Sequence, residues 1–448
     1  MKTDLLDYIS KEVSFKFRGI DFSFALSQGL FSSADIDRGT RFLLKVFSQL
    51  LDEDIAARRP LPGQILDSGC GIGVIGICAA AAAGALGPPP RVYAQDRDEL
   101  ARLVTLHNAQ KNRIPASTLE AHTGPLLSGP EGVQWDLILT NIPAKAGQPV
   151  LEDFITRSAG LLKPGGRVVM VAVHTLAGFF RRRIMDCGLD LIREEASTEH
   201  SILVYRGGHT GTPLKPGSGF MERYPFYVRA SAGCLIEKIP VHLETVHGAS
   251  GFDNPGSGTL TAAKLVLRLG PEAITAADSA GGSSPVLVYE TGQGFFTCWL
   301  LEYLFRAKRL PVHIVISGRN IVALEAARHN AARSLAAAGE TAASLNIVPA
   351  ADLRLGMEQL TSAAQQRQYG CIAVFPELVP QSLLSRESDQ LASLWAALSC
   401  LLQPQGVCTV CLESSDGERF NRKKPPGFTR LGDIRRKGFR AMAFRLTP

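Results

Sequence analysis

The 448-residue sequence has no apolar run long enough to cross a membrane. Its most apolar stretch, Val74 to Leu86, is rich in alanine and glycine and falls short of the roughly 20 residues that a spanning helix needs. The first residues, Met1 to Tyr8, carry acids where a signal peptide has its cationic and apolar regions. Glycine and proline are too few for a collagen-like or low-complexity chain. We therefore expect a soluble, cytoplasmic protein without membrane contact, and the length predicts two or three domains.

The sequence also lacks a cysteine or histidine pattern that is typical of a metal site. Its nine cysteines are an odd number and lie mostly in apolar runs, which indicates reduced, buried thiols. Cys408 and Cys411 form a CxxC inside a strand-like run, where a spacing of three places two side chains on opposite faces. We therefore expect no metal. The net charge of +6 permits a polyanionic partner without requiring one.

Four landmarks occur twice in the chain, in the same order. They are a glycine-containing loop, the strand that follows it, a Leu-Leu-x-Pro-x-Gly turn and an upstream segment that ends in Gly-Thr. Their two copies begin at Asp67 and Glu290, at Val92 and Ile314, at Leu161 and Leu401, and at Asp37 and Gly256. The repetition predicts two copies of one domain, residues 1–206 and 220–448, with a Gly/Pro/Thr-rich linker at 207–219.

Short apolar runs alternate with longer segments that favour helices in each copy. In the first copy the candidate strands are Gln64–Leu66, Arg91–Gln95, Leu137–Thr140 and Arg167–Ala172, and the candidate helices are Val74–Ala85, Arg97–Asn112 and Leu151–Leu162. The strands are almost entirely apolar, as in a parallel sheet that is covered on both faces. The pattern predicts an α/β protein with two tandem doubly wound, Rossmann-like domains.

Three loops of the first copy carry polar or glycine residues directly after a candidate strand. They are Asp67-Ser-Gly-Cys-Gly-Ile-Gly73, Asp96, and Thr140-Asn-Ile-Pro143. Glycine lets a ligand approach the backbone closely, and an acid after the second strand can accept hydrogen bonds from ribose hydroxyls. Because ligands of such sheets bind beyond the carboxyl ends of the strands, these loops predict one nucleotide-like site.

The combination resembles class I S-adenosylmethionine (SAM) methyltransferases. The glycine loop is similar to their motif one, and Asn141-Ile-Pro-Ala144 is similar to their Asn-Pro-Pro-aromatic loop. The segment from Phe31 to Thr40 narrows the resemblance to the small methyltransferase-like family. That family includes ribosomal RNA guanine exocyclic-amine methyltransferases, some of them built from tandem domains.

The resemblance implies a role for each loop. The methionine end of SAM would lie on Asp67 and on Gly69, Cys70 and Gly71. Its ribose would contact Asp96, with Arg97 beside it, and its adenine would lie near Gly124 through backbone or apolar contacts. Catalysis would fall to Asn141 and Pro143, with the Asn141 side chain and the Ile142 carbonyl accepting hydrogen bonds from the target amine. Alignment is most of the catalysis in such a transfer, because the methyl group is already activated.

The first copy departs from the family pattern at two positions. Ile142 replaces the first proline of the loop, and Ala144 replaces the aromatic residue that would stack on a planar base. Either Phe24 or Phe31 could supply the stacking, or the target is not a base. These departures keep open the methylation of a protein amide or of a small molecule.

The second copy is expected to be degenerate. Aligning the two glycine loops on their first acids pairs Asp67 with Glu290 and Gly73 with Phe296. The same comparison matches Asp96 with Gly318 and Asn141 with Val374, so the acids and the amide of the first copy are lost. A cluster of basic residues between Arg422 and Arg440 could track a phosphate backbone or could be a solvated hairpin face.

We therefore expect a SAM-dependent methyltransferase that acts on RNA, in which the first copy catalyses and the second helps to hold the substrate. The expected target is an exocyclic amine of a ribosomal RNA base. A pseudo-enzyme that binds RNA without methylating it is the alternative from a different class. Because two fused copies can already provide the pairing that other proteins achieve by dimerisation, we expect a monomer.

Overall fold

The computed structural model describes residues 5–30, 33–207, 219–274, 284–289, 292–310, 313–340, 343–364, 368–380 and 389–447. The chain forms two compact units. The N-terminal unit comprises Tyr8–Pro216 and Val379–Arg386, and the C-terminal unit comprises Met1–Asp7, Gly217–Leu378 and Glu387–Pro448. Most of the predicted linker 207–219 lies outside the described residues, and the domain boundaries given above stay a prediction.

The N-terminal unit begins with a β-hairpin and continues as an alternation of strands and helices. In chain order its elements are β1 (Lys11–Phe17), β2 (Ile20–Leu26), α1 (Arg38–Ala56), β3 (Gln64–Ser68), α2 (Val74–Leu86), β4 (Arg91–Asp96), α3 (Glu99–Lys111), β5 (Leu119–Thr123), β6 (Trp135–Asn141), α4 (Gln148–Gly160), β7 (Leu162–Val173), α5 (Ala177–Asp186), β8 (Asp190–Ala196) and β9 (His200–Arg206). Seven strands form one sheet in the order β5-β4-β3-β6-β7-β9-β8. The strands from β5 to β7 are parallel, and β9 runs antiparallel to both β7 and β8.

The apolar runs form the centre of this sheet because both of its faces are covered. Residues such as Leu66, Val92 and Ile138 are completely buried. A run of this kind has no solvent face, so it shows no alternation of apolar and polar residues. The four strands and three helices predicted for the first copy are all present.

The C-terminal unit repeats the architecture. Its elements are α6 (Phe220–Arg223), β10 (Val228–Ile236), β11 (Ile239–Val246), α7 (Ser257–Leu269), β12 (Val286–Tyr289), α8 (Phe295–Arg306), β13 (His313–Gly318), α9 (Ile321–Ala337), β14 (Ser344–Pro349), α10 (Met357–Ala363), β15 (Tyr369–Val374), α11 (Gln390–Leu401), β16 (Leu402–Glu413), α12 (Ser414–Arg422), β17 (Phe428–Arg436) and β18 (Phe439–Leu446). The sheet order β14-β13-β12-β15-β16-β18-β17 is the N-terminal order strand for strand. Two tandem doubly wound domains are confirmed.

The N-terminal hairpin of each unit is fastened to the sheet layer by one buried asparagine. Asn108 on α3 accepts a hydrogen bond from the amide of Ala25 at 2.8 Å and donates to the carbonyls of Ala25 and Ile72 at 3.1 and 2.9 Å. In the C-terminal unit Asn330 makes the same three bonds, with both main-chain groups of Glu244 and with the carbonyl of Gln293. We call this arrangement the asparagine clamp. It ties together the hairpin, the helix that follows the second sheet strand (α3 or α9) and the loop after the first sheet strand.

The strand register corrects the alignment of the two glycine loops. Ile65 pairs with Val92, and Val286 pairs with Ile314, so Asp67 corresponds to Val288 and not to Glu290. The helices that follow begin after Gly73 and Gly294, both in the left-handed conformation with φ of 86° and 99°. The prediction was wrong by two residues because Gly292 and Gly294 have the same spacing as Gly69 and Gly71.

The same register moves the match of the Asn-Ile-Pro loop by one residue. Ile65 also pairs with Leu137, and Val286 pairs with Cys371, so Asn141 corresponds to Phe375 rather than to Val374. The match of Asp96 with Gly318 holds. Asp96 lies four residues after Val92, the partner of Ile65, and Gly318 lies four residues after Ile314, the partner of Val286.

Three expectations from the composition concern the cysteines of β16, metal ligands and apolar helices. Cys408 and Cys411 pack into different hydrophobic clusters, which confirms that they point to opposite faces of β16. Among the described residues no group of three or more potential ligands could hold a metal ion. None of the described helices combines the length and the hydropathy that a membrane crossing requires.

Candidate active site

The three predicted loops lie side by side in the N-terminal unit. They follow β4, β3 and β6, which are adjacent and parallel, so their carboxyl ends share one edge of the sheet. The hydroxyl of Thr140 donates to the carbonyl of Ser68 at 2.7 Å and ties the end of β6 to the end of β3. The structure therefore brings together the glycine loop, Asp96 and Asn141.

The glycine loop is held by hydrogen bonds to the neighbouring strand β4. The amides of Gly69 and Cys70 both donate to the carbonyl of Gln95, at 2.8 and 2.9 Å, and the amide of Gly71 donates to Oδ2 of Asp96 at 3.0 Å. Gly69 and Gly71 have φ of 82° and 55°, which favours glycine. An added Cβ at Gly71 would meet nothing within 4 Å, so the loop borders open space there.

Asp96 is half-buried at the end of β4. Besides the amide of Gly71, its carboxylate accepts from the amide of Asp98 at 3.0 Å. Burial, and next the charge of Asp98, raise the pKa of the Asp96 carboxyl above its ordinary value. Each carboxylate oxygen can accept a further hydrogen bond, and donors such as ribose hydroxyls would offset the cost of burial. Arg97 next to it is exposed.

Asp67 is completely buried beneath the loop. Its Oδ2 accepts from the amide of Gly76 in the first turn of α2 at 2.8 Å, whereas its Oδ1 has no hydrogen-bond partner in the described part of the chain. Burial raises the pKa of this carboxyl to about 7, against the opposing effect of the Gly76 bond. A buried acceptor without a partner is costly, so Oδ1 suits a cationic or hydrogen-bonding ligand group.

These features fit SAM, a ligand with an ammonium group, a ribose and an adenine. Asp67 offers an unpaired buried acceptor for the ammonium group, and Asp96 offers carboxylate oxygens for the ribose. The open space beside Gly71 leaves room for a ligand between them. The thiol of Cys70 lies 3.4 Å from the Thr105 hydroxyl and its pKa is raised by burial, so it stays protonated and serves as a packing group.

The loop after β5 explains the missing acid at position 124. An added Cβ at Gly124 would lie 2.0 Å from Oγ of Ser128, so that hydroxyl fills the space that a side chain at 124 would need. The amide of Gly124 already donates to the carbonyl of Asp96 at 2.8 Å. Gln95 holds the loop by donating to the carbonyl of Pro125 at 2.5 Å and accepting from the amide of Ser128 at 3.2 Å. Ser128 is a polar group near this position that no sequence motif singled out.

The Asn-Ile-Pro loop after β6 places Asn141 between the sheet and the start of α1. Its Nδ2 donates to Oδ2 of Asp37 at 2.9 Å and to Oγ1 of Thr40 at 3.2 Å. Ile142 is buried and its amide donates to the carbonyl of Val171 at 3.1 Å, a bond that a proline could not make. Pro143 and the alanine after it are exposed.

The expectation that Phe24 replaces the missing aromatic is wrong. Phe24 is completely buried and stacks on Phe22 with ring centroids 5.9 Å apart, so its faces belong to the core. Phe31, the other candidate, lies outside the described residues. The loop itself, Asn141-Ile-Pro-Ala144, contains no aromatic residue.

The equivalent site of the C-terminal unit is filled by its own residues. Tyr289, at the position of Ser68, extends its hydroxyl to the carbonyl of Ala351 at 2.9 Å, across the loop after β14. An added Cβ at Gly292, the counterpart of Gly71, would lie 3.7 Å from Oγ of Ser250, whereas one at Gly71 would meet nothing within 4 Å. Phe375, at the position of Asn141, packs edge-on against Phe296 with centroids 4.9 Å apart. With Val288, Gly318 and Phe375 in place of the two acids and the amide, the described part of this unit lacks the polar groups of the N-terminal site.

The basic cluster of the C-terminal unit is largely neutralised. Five of its eight cationic side chains form ion pairs with acids of the same unit: Lys423 with Asp389, Arg430 and Arg440 with Asp433, Arg435 and Arg440 with Glu418, and Arg436 with Glu237. Phe428, which the phosphate-track interpretation needs at the surface, is buried. The arrangement favours the hairpin face over the phosphate track.

The chain is similar to several known proteins. A family model described as the methyltransferase small domain matches residues 21–189. The uncharacterized protein YbxB of Bacillus subtilis is 31% identical over 159 residues, which cover 35% of this chain and 72% of that protein. The ribosomal protein L11 methyltransferase of Methylococcus capsulatus is 36% identical over 109 residues, 24% of this chain and 33% of that protein. The ribosomal RNA small subunit methyltransferase C of Photorhabdus laumondii is 30% identical over 150 residues, 32% of this chain and 38% of that protein.

One solved structure is similar over both units. The 16S rRNA N2 G1207 methyltransferase RsmC of T. thermophilus, in complex with AdoMet and guanosine, superposes with a TM-score of 0.59 at 14% identity and covers 99% of each chain. At this identity the likeness shows the tandem fold. Since the match to YbxB spans most of that protein and the family model covers all three loops, the chain belongs to the methyltransferase small domain family and is a SAM-dependent methyltransferase.

Proposed function

We propose that the N-terminal unit transfers the methyl group of SAM to an exocyclic amine of a base in ribosomal RNA. The observation that carries the proposal is the hydrogen bond from Thr140 to the carbonyl of Ser68, which fixes the Asn-Ile-Pro loop directly beside the glycine loop. The groups that would accept hydrogen bonds from the target amine and the loop that would bind SAM are thereby held at one edge of the sheet, as in-line methyl transfer requires.

The cofactor, when bound, supplies an activated sulfonium methyl group. In the proposal Asp67 accepts from its ammonium group through Oδ1, while Gly69, Cys70 and Gly71 line its methionine end. Asp96 accepts from the ribose hydroxyls with Arg97 beside it. The adenine lies at the Gly124 turn, where Ser128 adds a hydroxyl that the sequence interpretation did not include.

The reacting amine is oriented by the catalytic loop. Oδ1 of Asn141 and the carbonyl of Ile142 each accept one of its hydrogens, which directs the nitrogen lone pair at the methyl carbon. The bound cofactor would supply a methyl group whose sulfur–carbon bond breaks as the nitrogen–carbon bond forms, and the amine would then lose a proton to water. Pro143 restricts the backbone directly after the second acceptor. No strong base is needed, since orientation supplies most of the rate.

Ribosomal RNA is the substrate that the comparisons favour. Several relatives are named as ribosomal RNA methyltransferases, among them a large subunit methyltransferase G that is 31% identical over 146 residues. The whole-chain structural neighbour is named for an N2-guanine transfer. The net charge of +6 is compatible with a polyanionic substrate.

The test is methyl transfer from isotope-labelled SAM. Total RNA, ribosomal particles and total protein from cells that lack this gene are offered as acceptors to the full chain. We expect label in RNA, and we expect Asn141→Ala and Asp67→Ala to abolish it. Asn112→Ala, which removes a half-buried amide outside the site, is the matched control and should retain transfer. Full activity of Asn141→Ala, or binding of RNA without any label in it, would overturn the proposal.

A protein amine or amide is the second candidate. The exposed Ala144 offers no ring for a base to stack on, and one of the relatives is named as a ribosomal protein L11 methyltransferase. Label that enters ribosomal protein and not RNA in the same assay would establish this candidate instead.

A further inference from the structure

We propose that Asp37 is a positioning residue that fixes the orientation of the Asn141 amide, and through it the acceptor that meets the target amine. The inference rests on the role of Asn141 in the proposed function. Asp37 lies 104 residues before Asn141 in sequence, yet its Oδ2 is 2.9 Å from Nδ2 of Asn141.

The direction of the amide follows from the two groups that it meets. A carboxylate can only accept hydrogen bonds, so Asp37 must face the amino end of the Asn141 side chain. Turning the amide over would set its oxygen against the carboxylate, and two acceptors at hydrogen-bond distance repel each other. Thr40 takes the second hydrogen of the same amino group at 3.2 Å. Both donors are thus used, and Oδ1 is left for the substrate.

Asp37 is itself held rigidly, which a positioning residue requires. It is the N-cap of α1, a helix of 19 residues, and its Oδ2 accepts from the amide of Thr40 at 3.1 Å. The partial positive charge at a helix N-terminus favours a carboxylate at this place. The charge of Asp37 in turn polarises the amide of Asn141, because hydrogen bonds to an ionised acceptor are about twice as strong as neutral ones.

Gly39 makes room for this arrangement. An added Cβ there would lie 2.8 Å from Oδ2 of Asp37 and 2.9 Å from Cδ2 of His200. Its φ is not in the left-handed region, so an alanine would strain the contact and not the backbone. Gly39→Ala therefore displaces the carboxylate of Asp37 while leaving its charge in place.

The central test uses three variants of the full chain in the labelled-SAM assay. Asp37→Ser keeps an N-cap oxygen but is too short to reach Asn141, Asp37→Asn keeps the shape and removes the charge, and Gly39→Ala moves the carboxylate. We expect Asp37→Ser to lower kcat about 100-fold, the loss that a 1 Å misplacement can produce. The kcat of Asp37→Asn should lie between those of Asp37→Ser and the wild type, because asparagine keeps the shape of the side chain. Gly39→Ala should also lower kcat.

Three readouts separate positioning from a structural role. The Kd for SAM and the KM for the acceptor should stay within about twofold of the wild type, since the loss falls on alignment. The melting temperature of Asp37→Ser should shift no more than that of Asp389→Ser, which shortens the N-cap of α11 in the other unit. In an Asn141→Ala background Asp37→Ser should cause no further loss, because it acts through that residue.

The outcomes distinguish the two proposals. If Asn141→Ala is fully active, the proposed function fails. If Asn141→Ala is impaired but Asp37→Ser keeps wild-type kcat, or if the two losses multiply in the double variant, the role of Asp37 is refuted and the proposed function stands.

Discussion

Replacing Asp67 by asparagine should change how the stability of the N-terminal unit depends on pH. The Asp67 side chain is completely buried, and burial raises the pKa of its carboxyl from 3.8 to about 7. The unfolded chain exposes the same group to water, where it keeps its ordinary value. The difference of about three pKa units corresponds to about 4 kcal/mol, at 1.36 kcal/mol for each unit.

The sign follows from which state binds the proton more tightly. Below about pH 4 the carboxyl is protonated in both states, and the folded state has the full benefit of the neutral group. Between about pH 4 and 7 the unfolded chain ionises first, so the free energy of unfolding falls as the pH rises. Above pH 7 both states are ionised and the loss is complete. An asparagine can accept the Gly76 hydrogen bond but does not titrate, so it lacks this dependence.

The measurement is urea unfolding of the wild type and of Asp67→Asn at intervals from pH 4 to 8. Hydrogen exchange of peptides from β3 and β4 assigns the transition to the N-terminal unit. The free-energy difference between the two proteins should shift in favour of the variant by about 4 kcal/mol across this range. Asp21→Asn, at an exposed carboxylate on β2, is the control and should show no comparable shift. A difference for Asp67→Asn that is independent of pH would refute the reasoning.

Three further predictions concern the same unit. The affinity for SAM should rise with pH below 7, by up to about tenfold per pH unit, because the ammonium group of the ligand needs ionised Asp67. Calorimetric titration of the wild type and of Asp67→Asn checks this. If the affinity of both proteins depends on pH with the same slope, the prediction is contradicted. Gly73→Ala should lower the free energy of unfolding in urea by about 2 kcal/mol or more, because the φ of Gly73 is 86° and an added Cβ would lie 2.8 Å from a methyl carbon of Thr105. Gly132 has a left-handed backbone too but borders open space, so Gly132→Ala should cost about half as much. Gly71→Ala should match Gly132→Ala in stability but lose SAM affinity. Asn108→Ala should destabilise the unit by about 3 kcal/mol, because three buried main-chain groups lose their partner, and a loss below 1 kcal/mol in thermal or urea unfolding would argue against the asparagine clamp.

Much of the fold could be predicted because it depends on local patterns. Continuous apolar runs such as Leu137–Thr140, bounded by turn residues, indicate strands of a sheet that is covered on both faces, and the loops that follow them carry the predicted site residues. Two copies with the same landmarks in the same order predicted the tandem architecture. The antiparallel pair β8 and β9 was not predicted. The strand β8 mixes apolar and charged residues without a clear period, and β9 has a short apolar run, Ile202–Tyr205, that was not recognised as a strand.

The parts that the sequence did not predict depend on register and on distant contacts. The loops of the two copies share a Gly-x-Gly spacing, so the match between them was placed two residues away from the register that the strands impose. The orientation of Asn141 depends on Asp37, over a hundred positions earlier. The contacts of Tyr289 with Ala351 and of Ser250 with Gly292 in the second unit join residues far apart in sequence that belong to no motif. No local pattern encodes contacts of this kind.

The asparagine clamp separates two kinds of information in the repeated sequence. Asn108 and Asn330 make the same three bonds, although only the first lies in a unit that carries Asp67 and Asp96. A glycine turn with its asparagine is therefore evidence of how the domain is built and says nothing about whether it reacts. Under the proposed function, the acids at the ends of β3 and β4, Asp67 and Asp96, distinguish an active copy from a silent one. Substitutions at these two positions, rather than at the glycines or the asparagine, then indicate which copy of a tandem methyltransferase is silent.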